Sequence, residues 1–387
     1  MKKTLLVTLD FYPSVGGIAN YWKHLGSCMS HDTWVVLAPP LPHGVKEIDA
    51  PYTIYREPFF SGKNCHSRFR KFSYFSLITQ IWKIAKKEHI KKIIVGQVLP
   101  VGTVVWIVSK LLRIPYCVSV HGMDVGLAKR HRRKRMICKK ILFDAECVIA
   151  NSAYTGSLIR EYDIPEEKII YVFPCPSVTP KLLSSCVIPS DPPTGGENPD
   201  DMGVRSKKIV LSVGRLVARK GFEYLIHALP EVLEKEPDAV CIILGDGPMA
   251  SQLEGLVHEL QLEKCVFFIK NASDTELAAW YDVCTVCVMT PYEDNGDVEG
   301  FGIVYLDANG FGKPVIGTRS GGVPEAVIDG KTGLLVTPKN SAEIAQAVAR
   351  LLSDMEYANR LGRQGRERVS KEFQWSVQAE KLEKMLS

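Results

Sequence analysis

Residues 208–235 read "KIVLSVGRLVARKGFEYLIHALPEVLEK". The first seven form a short apolar run rich in β-branched residues, as a strand buried on both faces requires. From 221 to 235 the apolar residues return at helical spacing. Between the two lie Arg215, Arg219 and Lys220, bounded by Gly214 and Gly221. A strand that runs through a short loop into a helix is the first half of a parallel crossover, because parallel neighbours cannot be joined by a hairpin.

The same unit recurs along the chain. Strand-like runs in the first half are "TLLVTL", "WVVLA", "KIIVGQ", "PYCVSV", "CVIANS" and "IIYVF". In the second half they are "KIVLSVG", "AVCIILG", "CVFFIK", "VCVMTP", "KPVIGT" and "GLLVTP". Helical patterns at 18–29, 77–89, 101–112, 221–235, 249–260 and 341–352 alternate with them. The pattern predicts an α/β protein with two doubly wound, Rossmann-like parallel sheets and a ligand cleft at the carboxyl ends of their strands. The first domain is placed at 1–180 and the second at 208–370. A Pro-, Gly-, Ser- and Asp-rich linker or insertion at 181–207 separates them, its 186–206 portion reading as exposed and mobile. The last stretch, 371–387, is a helix expected to cross back to the first domain.

Composition bounds the class. The 387 residues are 46% hydrophobic and 24% charged, values of a globular chain. No apolar run is long enough to span a bilayer. The start, "MKKTLLVTLD", reads as a first buried strand ending at Asp10 rather than a signal peptide. Eleven cysteines, scattered in apolar contexts, suit buried free thiols in a reducing cytoplasm. Cys284 and Cys287 have ligand spacing, but no second pair answers them and the segment reads as a strand. The net charge of +5 conceals an asymmetry: residues 1–180 carry 26 Lys and Arg against 13 Asp and Glu. The remainder is acidic, so the halves are expected to meet different partners.

Four loops carry candidate chemistry. In "DFYPSVGGIANYW", Gly16 and Gly17 precede a helix, where backbone N–H groups can approach a phosphate or sugar. The spacing is not G-x-G-x-x-G, which argues against a dinucleotide oxidoreductase. Arg215 and Lys220, flanking their loop, are placed to neutralise a diphosphate. "LGDGP" at 244–248 is read as a mainly structural turn. In "EGFGIVYLD", residues 299–307, Gly300 and Gly302 fit a helix start, so Phe301 and Ile303 lie among the N–H groups aimed at a ligand. Glu299 and Asp307 would then stand roughly 12 Å apart along the helix. That suits a nucleotide-sugar, with Glu299 on sugar hydroxyls and Asp307 on the ribose diol. The nearby acids Glu293, Asp294, Asp297 and Glu299 are read as a solvated loop rather than a cation site.

Taken in order, "FYPSVGG", "HGMD", "NSAYT", "GRLVARKG", "GDGP", "EGFGIVYLD" and "SGGVPE" resemble the family 4 retaining glycosyltransferases. That resemblance implies the GT-B fold: two Rossmann-like domains facing across a cleft. It also implies sugar transfer from a nucleotide-sugar with retention, no obligatory metal and no other cofactor. Carried over by position, Arg215 and Lys220 hold the donor diphosphate, Glu299 the donor sugar, and Gly16 and Gly17 the donor from the first domain. His121 of "HGMD" falls at the reacting centre, positioning or polarising rather than acting as base. The form "DVEGFGIVYLD" is closest to mannosyltransferases with lipid or glycolipid acceptors, which points to GDP-mannose among GDP- and UDP-sugars. The family pairs two glutamates where this chain has Glu299 and Asp307, so its second acid is one methylene shorter.

The basic half suggests where an acceptor lies. "KRHRRKRMICKK" at 129–140 and "SRFRKFSYF" at 67–75 mix basic with apolar residues, as a surface docking on anionic lipid would. The protein is therefore expected in the cytoplasm, peripheral to the inner face of the membrane. No nucleic-acid module is matched. Two other readings use the same architecture. A nucleotide-sugar epimerase would turn over donor without acceptor, and a non-catalytic binding module would neither transfer nor hydrolyse it.

Overall fold

The computed structural model describes residues 3–14, 16–58, 67–184 and 207–386, with the side chains of 67–73 and 184 outside that description. The linker expected to be exposed at 186–206 lies outside it, as do most side chains of the basic and aromatic stretch 67–75. The chain forms two compact units: Met1–Pro174 with Trp375–Ser387, and Cys175–Gln374.

The first unit runs β1 Thr4–Val7, α1 Gly17–Ser27, β2 Trp34–Ala38, β3 Thr53–Arg56, α2 Ser67–Lys87, β4 Lys92–Val95 and α3 Val101–Leu112. It continues with β5 Tyr116–Val120, α4 Met123–Ala128, α5 Arg132–Asp144, β6 Cys147–Ala150, α6 Ala153–Arg160 and β7 Ile169–Tyr171. All seven strands are parallel, in the order β3-β2-β1-β4-β5-β6-β7. The period of two shows in β1. Leu5 and Val7 join a core with α2, α3 and α5, while Leu6 faces the opposite core with α1. Strand β3 was not foreseen. "TIYR" is a half-exposed edge strand, without the apolar run that marks the interior strands.

The second unit runs α7 Lys181–Ser184, β8 Lys208–Val213, α8 Phe222–Lys235, β9 Ala239–Leu244, α9 Ala250–Glu259, β10 Val266–Ile269, α10 Asp274–Val283 and β11 Val286–Val288. There follow α11 Ile303–Gly310, β12 Val315–Thr318, α12 Val323–Ala326, β13 Gly333–Val336, α13 Ser341–Ser353 and α14 Met355–Glu372. Its six strands are parallel in the order β10-β9-β8-β11-β12-β13. On α8 the buried residues are Phe222, Leu225, Ile226, Ala228, Leu229 and Val232, one stripe at helical spacing. Full burial of a Leu or Ile side chain contributes about 1.5–3 kcal/mol, so packing holds this helix more than propensity does.

The last helix, α15 Trp375–Leu386, belongs to the first unit. Ala379, Leu382 and Leu386 pack with Tyr21 and Trp22 of α1. Gln378 Oε1 accepts the Phe173 N–H at 3.0 Å, and the Lys92 ammonium, buried in β4, reaches the Met385 carbonyl. Among the described residues no helix is long and apolar enough to cross a membrane. Nine cysteines are described and all are free, Cys284 and Cys287 among them.

Candidate functional site

In both sheets the strand order reverses direction once, between β1 and β4 in the first unit and between β8 and β11 in the second. Loops at the carboxyl ends of the strands part at such a point and leave room for a ligand. The residues singled out from sequence gather at these loops and their neighbours.

In the second unit the loop after β8 is tied to two others. Leu216 donates its N–H to Asp246 and accepts from Met249, which fixes it to the "GDGP" turn. Tyr292 donates to the Arg219 carbonyl at 2.9 Å, which fixes it to the loop after β11. Gly221 closes the basic loop at φ 69°, and a Cβ there would stand 2.1 Å from the Thr290 carbonyl oxygen. Only glycine satisfies both the left-handed backbone and that approach.

Glu299 sits inside this frame, its side chain 14% exposed. The Lys220 ammonium donates to Glu299 Oε2 at 2.5 Å and Arg219 Nη1 to the same oxygen at 3.0 Å. Burial acts to raise the Glu299 carboxyl, but Lys220 and Arg219 outweigh it and hold it at about 2. Arg219 Nε also lies 3.0 Å from Asp297 Oδ1, an ion pair outside hydrogen-bond angles. Burial raises Asp297, while Arg219 and, further off, Arg215 pull it down. Two cations, Arg219 and Lys220, and two carboxylates thus form one cluster at the β8–β11 switch point, with Arg215 acting on Asp297 through its charge.

Asp297 reaches Arg219 because "DNGD" makes a tight turn. Asp294 and Asp297 exchange both backbone hydrogen bonds, with Asn295 at φ 52° and Gly296 at φ 77°. This Asn-Gly pair of left-handed residues is the two-residue hairpin turn the dipeptide favours. The reading of 293–299 as a solvated acidic loop is corrected here for Asp297 and Glu299, whose carboxylates meet Arg219 and Lys220. Among the described residues no group of three or more His, Cys, Asp or Glu is placed to hold a metal ion.

The helix that follows begins later than its sequence suggested. Gly302, at φ 94°, caps α11, so Glu299 lies on the loop before it and not along its axis. The 12 Å spacing along a helix does not hold. No side-chain oxygen caps α11; Tyr305 donates its N–H to the Gly302 carbonyl at 3.2 Å, and the helical amides before it lack a side-chain acceptor, as an anion site at a helix start requires. Gly300 is held against Gly322, whose N–H donates to the Glu299 carbonyl at 2.9 Å. Phe301 is buried and packs edge-on against Phe373, so a ligand would meet its backbone rather than its ring. Asp307 is 5% exposed within α11, and its Oδ1 accepts the N–H groups of Ser177 at 2.7 Å and Val178 at 3.1 Å. Burial pushes its carboxyl up to about 7, with those two amides pulling the other way.

In the first unit Gly16 caps α1, and a Cβ built there would meet nothing within 4 Å. His121 follows β5. Its Nε2 lies 3.0 Å from Ser119 Oγ and its ring stands edge-on to Tyr21, centroids 5.4 Å apart. Burial pushes the imidazole down to about 4, so it is neutral near pH 7. Asp124 Oδ1 accepts the backbone N–H groups of His121 and Val125, which fixes the "HGMD" turn. Gln97, past β4, donates to Asp10 at 2.9 Å and accepts from the Leu9 N–H, bridging the two loops at the switch point.

Sequence reasoning missed Gln97, Asp124 and the Arg219–Asp297 pair as site residues. For Asp297 a signal existed in the Asn-Gly dipeptide; Gln97 has none, being one amide at the end of an apolar run. Arg219 meets the carboxylates of Glu299 and Asp297 and would act through Glu299, as a positioning residue. Arg219→Gln is expected to lower turnover about tenfold and to move the acid limb of the pH–rate profile upward. The sign follows because Glu299 would lose one of the cations that hold it ionised. A profile superimposable on that of the parent would remove Arg219 from this role.

Residues 198–368 match the family described as Glycosyl transferases group 1, and residues 15–175 match Glycosyltransferase Family 4. A GDP-mannose-dependent alpha-(1-6)-phosphatidylinositol monomannoside mannosyltransferase of Mycolicibacterium smegmatis is 29% identical, over 99% of this chain and 98% of that protein. A D-inositol 3-phosphate glycosyltransferase of Corynebacterium efficiens is 30% identical over 74% of this chain and 68% of its own. Among solved structures, sucrose-phosphate synthase from Thermosynechococcus elongatus superposes with a TM-score of 0.83 at 24% identity, covering 100% of this chain and 98% of that one.

Proposed function

Because the chain belongs to the group 1, family 4 glycosyltransferases, we propose that it moves a mannosyl group from GDP-mannose to a phosphatidylinositol-type glycolipid, with retention and without a metal. One arrangement carries the reading: a part-buried, ionised Glu299 bound by Lys220 and Arg219, beside an uncapped helix start at the β8–β11 switch point. The donor identity follows the mannosyltransferase relative that spans the whole chain.

In the second unit Arg215 and Lys220 take the diphosphate, the amides from Gly300 to Ile303 its oxygens, and Glu299 the sugar hydroxyls. Asp307 offers its second oxygen to the ribose diol. In the first unit Gly16 and Gly17 meet the donor, and neutral His121 orients the reacting sugar without taking a proton. The acceptor hydroxyl attacks the anomeric carbon on the face the diphosphate leaves. The bond from that carbon to the phosphate oxygen breaks, its electron pair goes to the phosphate, and the departing oxygen takes the acceptor's proton. Arg215 and Lys220 stabilise the charge that develops there.

The test is a donor screen with UDP- and GDP-sugars, with and without phosphatidylinositol-type acceptor, in excess EDTA. The expected result is acceptor-dependent consumption of GDP-mannose, unchanged by the chelator, and an α-linked product by its anomeric coupling constant. Consumption of donor without acceptor to give an epimeric sugar nucleotide would overturn transfer. Loss of activity in EDTA restored by magnesium would overturn the metal-free mechanism.

A further inference from the structure

Ser119 is the fourth residue of β5 and His121 follows the strand, so the two side chains leave the backbone on one face of the sheet. Three contacts hold the histidine. Asp124 Oδ1 accepts its backbone N–H at 3.3 Å. The Tyr21 ring stands edge-on to the imidazole and is itself fixed, because its hydroxyl donates to the Val172 carbonyl at 3.1 Å and its ring meets Trp375 of α15. That wall keeps the imidazole from turning away from Ser119, whose Oγ lies 3.0 Å from Nε2. Nδ1 has no hydrogen-bond partner among the described residues and is open to solvent.

A neutral imidazole carries one hydrogen, and the bond made by one nitrogen decides whether the other is a donor or an acceptor. The 3.0 Å separation alone allows either direction, from Nε2–H to Oγ or from Oγ–H to Nε2. The serine decides between them. Ser119 is 1% exposed, and among the described residues Nε2 is the one partner of its hydroxyl. A buried donor without an acceptor is rarer in folded proteins than an acceptor with a spare lone pair. If Nε2 carried the hydrogen, the serine's own hydrogen would be shut inside the sheet with nothing to receive it. If Oγ donates to Nε2, that hydrogen is satisfied and the ring's hydrogen moves to Nδ1, the open nitrogen. A ring in this state offers an N–H and cannot take a proton there, which leaves the acceptor's proton to the departing phosphate oxygen.

We propose that Ser119 is a positioning residue that holds His121 as the Nδ1–H tautomer, so that the ring offers a hydrogen-bond donor to an oxygen of the transferred sugar. The inference deepens the reading of sugar transfer and rests on it for the identity of that oxygen. The test is long-range proton–nitrogen NMR of protein labelled at its histidine nitrogens, free of substrate and near pH 7. The His121 signals are assigned by their loss in His121→Asn, and a protonated Nδ1 with a bare Nε2 is expected. In Ser119→Ala the lock is gone, so Nε2–H should appear and turnover should fall about tenfold. Ser119→Thr keeps the hydroxyl and should restore both the tautomer and the rate. A serine with only a structural role would shift the melting temperature and leave the tautomer where it is. His121→Asn places an amide N–H where Nδ1 stood, whereas the amide of His121→Gln reaches the Nε2 position. The Asn variant should therefore keep about tenfold more turnover than the Gln variant. An Nε2–H pattern in the parent, a tautomer unmoved in Ser119→Ala, or Gln outperforming Asn at 121 would each overturn the proposal. The spectra need neither donor nor acceptor, so a protein with the Nδ1–H pattern that transfers no sugar would fault the proposed reaction and leave the role of Ser119 standing.

Discussion

Lys220→Ala is expected to lower the turnover of sugar transfer by about a hundredfold to a thousandfold, the loss typical of removing a donor aimed at developing charge. Two effects combine in that number. The ammonium no longer offsets charge on the departing diphosphate, and Glu299 keeps Arg219 as its one remaining cation. A double-mutant cycle separates them. If Lys220 served only to neutralise Glu299, then Lys220→Ala with Glu299→Gln would be no worse than Glu299→Gln alone. If Lys220 acts on the leaving group, the double variant stays far below Glu299→Gln. Arg215→Ala is expected to behave like Lys220→Ala on turnover but to leave the pH dependence of Glu299 in place, since Arg215 is not among the groups holding that carboxyl down. Turnover of Lys220→Ala within a few-fold of the parent, at saturating donor, would remove this lysine from the diphosphate site.

The fold was legible because its information is local and repeated. A strand such as β9, "AVCIIL", is apolar at every position, and α8 repeats its stripe over about three turns. Edge strand β3 escaped because half-exposed residues carry no such run. The candidate site divides in the same way. Arg215, Lys220 and Glu299 stand next to strand ends and glycines, which gives each a place before any coordinates are known. Their mutual geometry was not legible. That Lys220 and Arg219 share one oxygen of Glu299 depends on the loop after β8 being stitched to the loop after β11, contacts some seventy to eighty residues apart. The helix start was misplaced for a related reason: a glycine-rich N-terminus tells that a helix begins, and only the left-handed backbone at Gly302 tells where.

Asp307→Asn is expected to raise the donor Michaelis constant roughly tenfold to a hundredfold, the worth of a charged hydrogen bond, and to leave turnover nearly unchanged. The residue is buried in α11, not on a solvent-facing turn, and one of its oxygens already serves Ser177 and Val178. A carboxylate has acceptor sites to spare, so the proposed contact with a ribose diol would fall to the second oxygen. The two roles have different signatures. Asp307→Ala strands the buried Val178 N–H and the part-buried Ser177 N–H, a buried one costing about 1–3 kcal/mol, so it should lower the melting temperature whether or not donor is bound. Asp307→Glu regains the family's reach but must fit one more methylene into a packed site, at about 1–3 kcal/mol. The pH dependence separates the roles further. The folded carboxyl titrates at about 7 against an ordinary 3.8, so the fold favours the neutral form. Its contribution to stability is fully present below the ordinary value and is lost as pH rises through 7. Melting temperature should therefore fall from pH 4 to pH 8 more steeply in the parent than in Asp307→Asn. Donor affinity should move the opposite way, improving as the carboxylate forms, and this slope should vanish in Asp307→Asn. Donor affinities that match across Asp, Asn and Glu at 307, with the stability difference intact, would leave Asp307 as the anchor of residues 177–178 and take the ribose contact away from it.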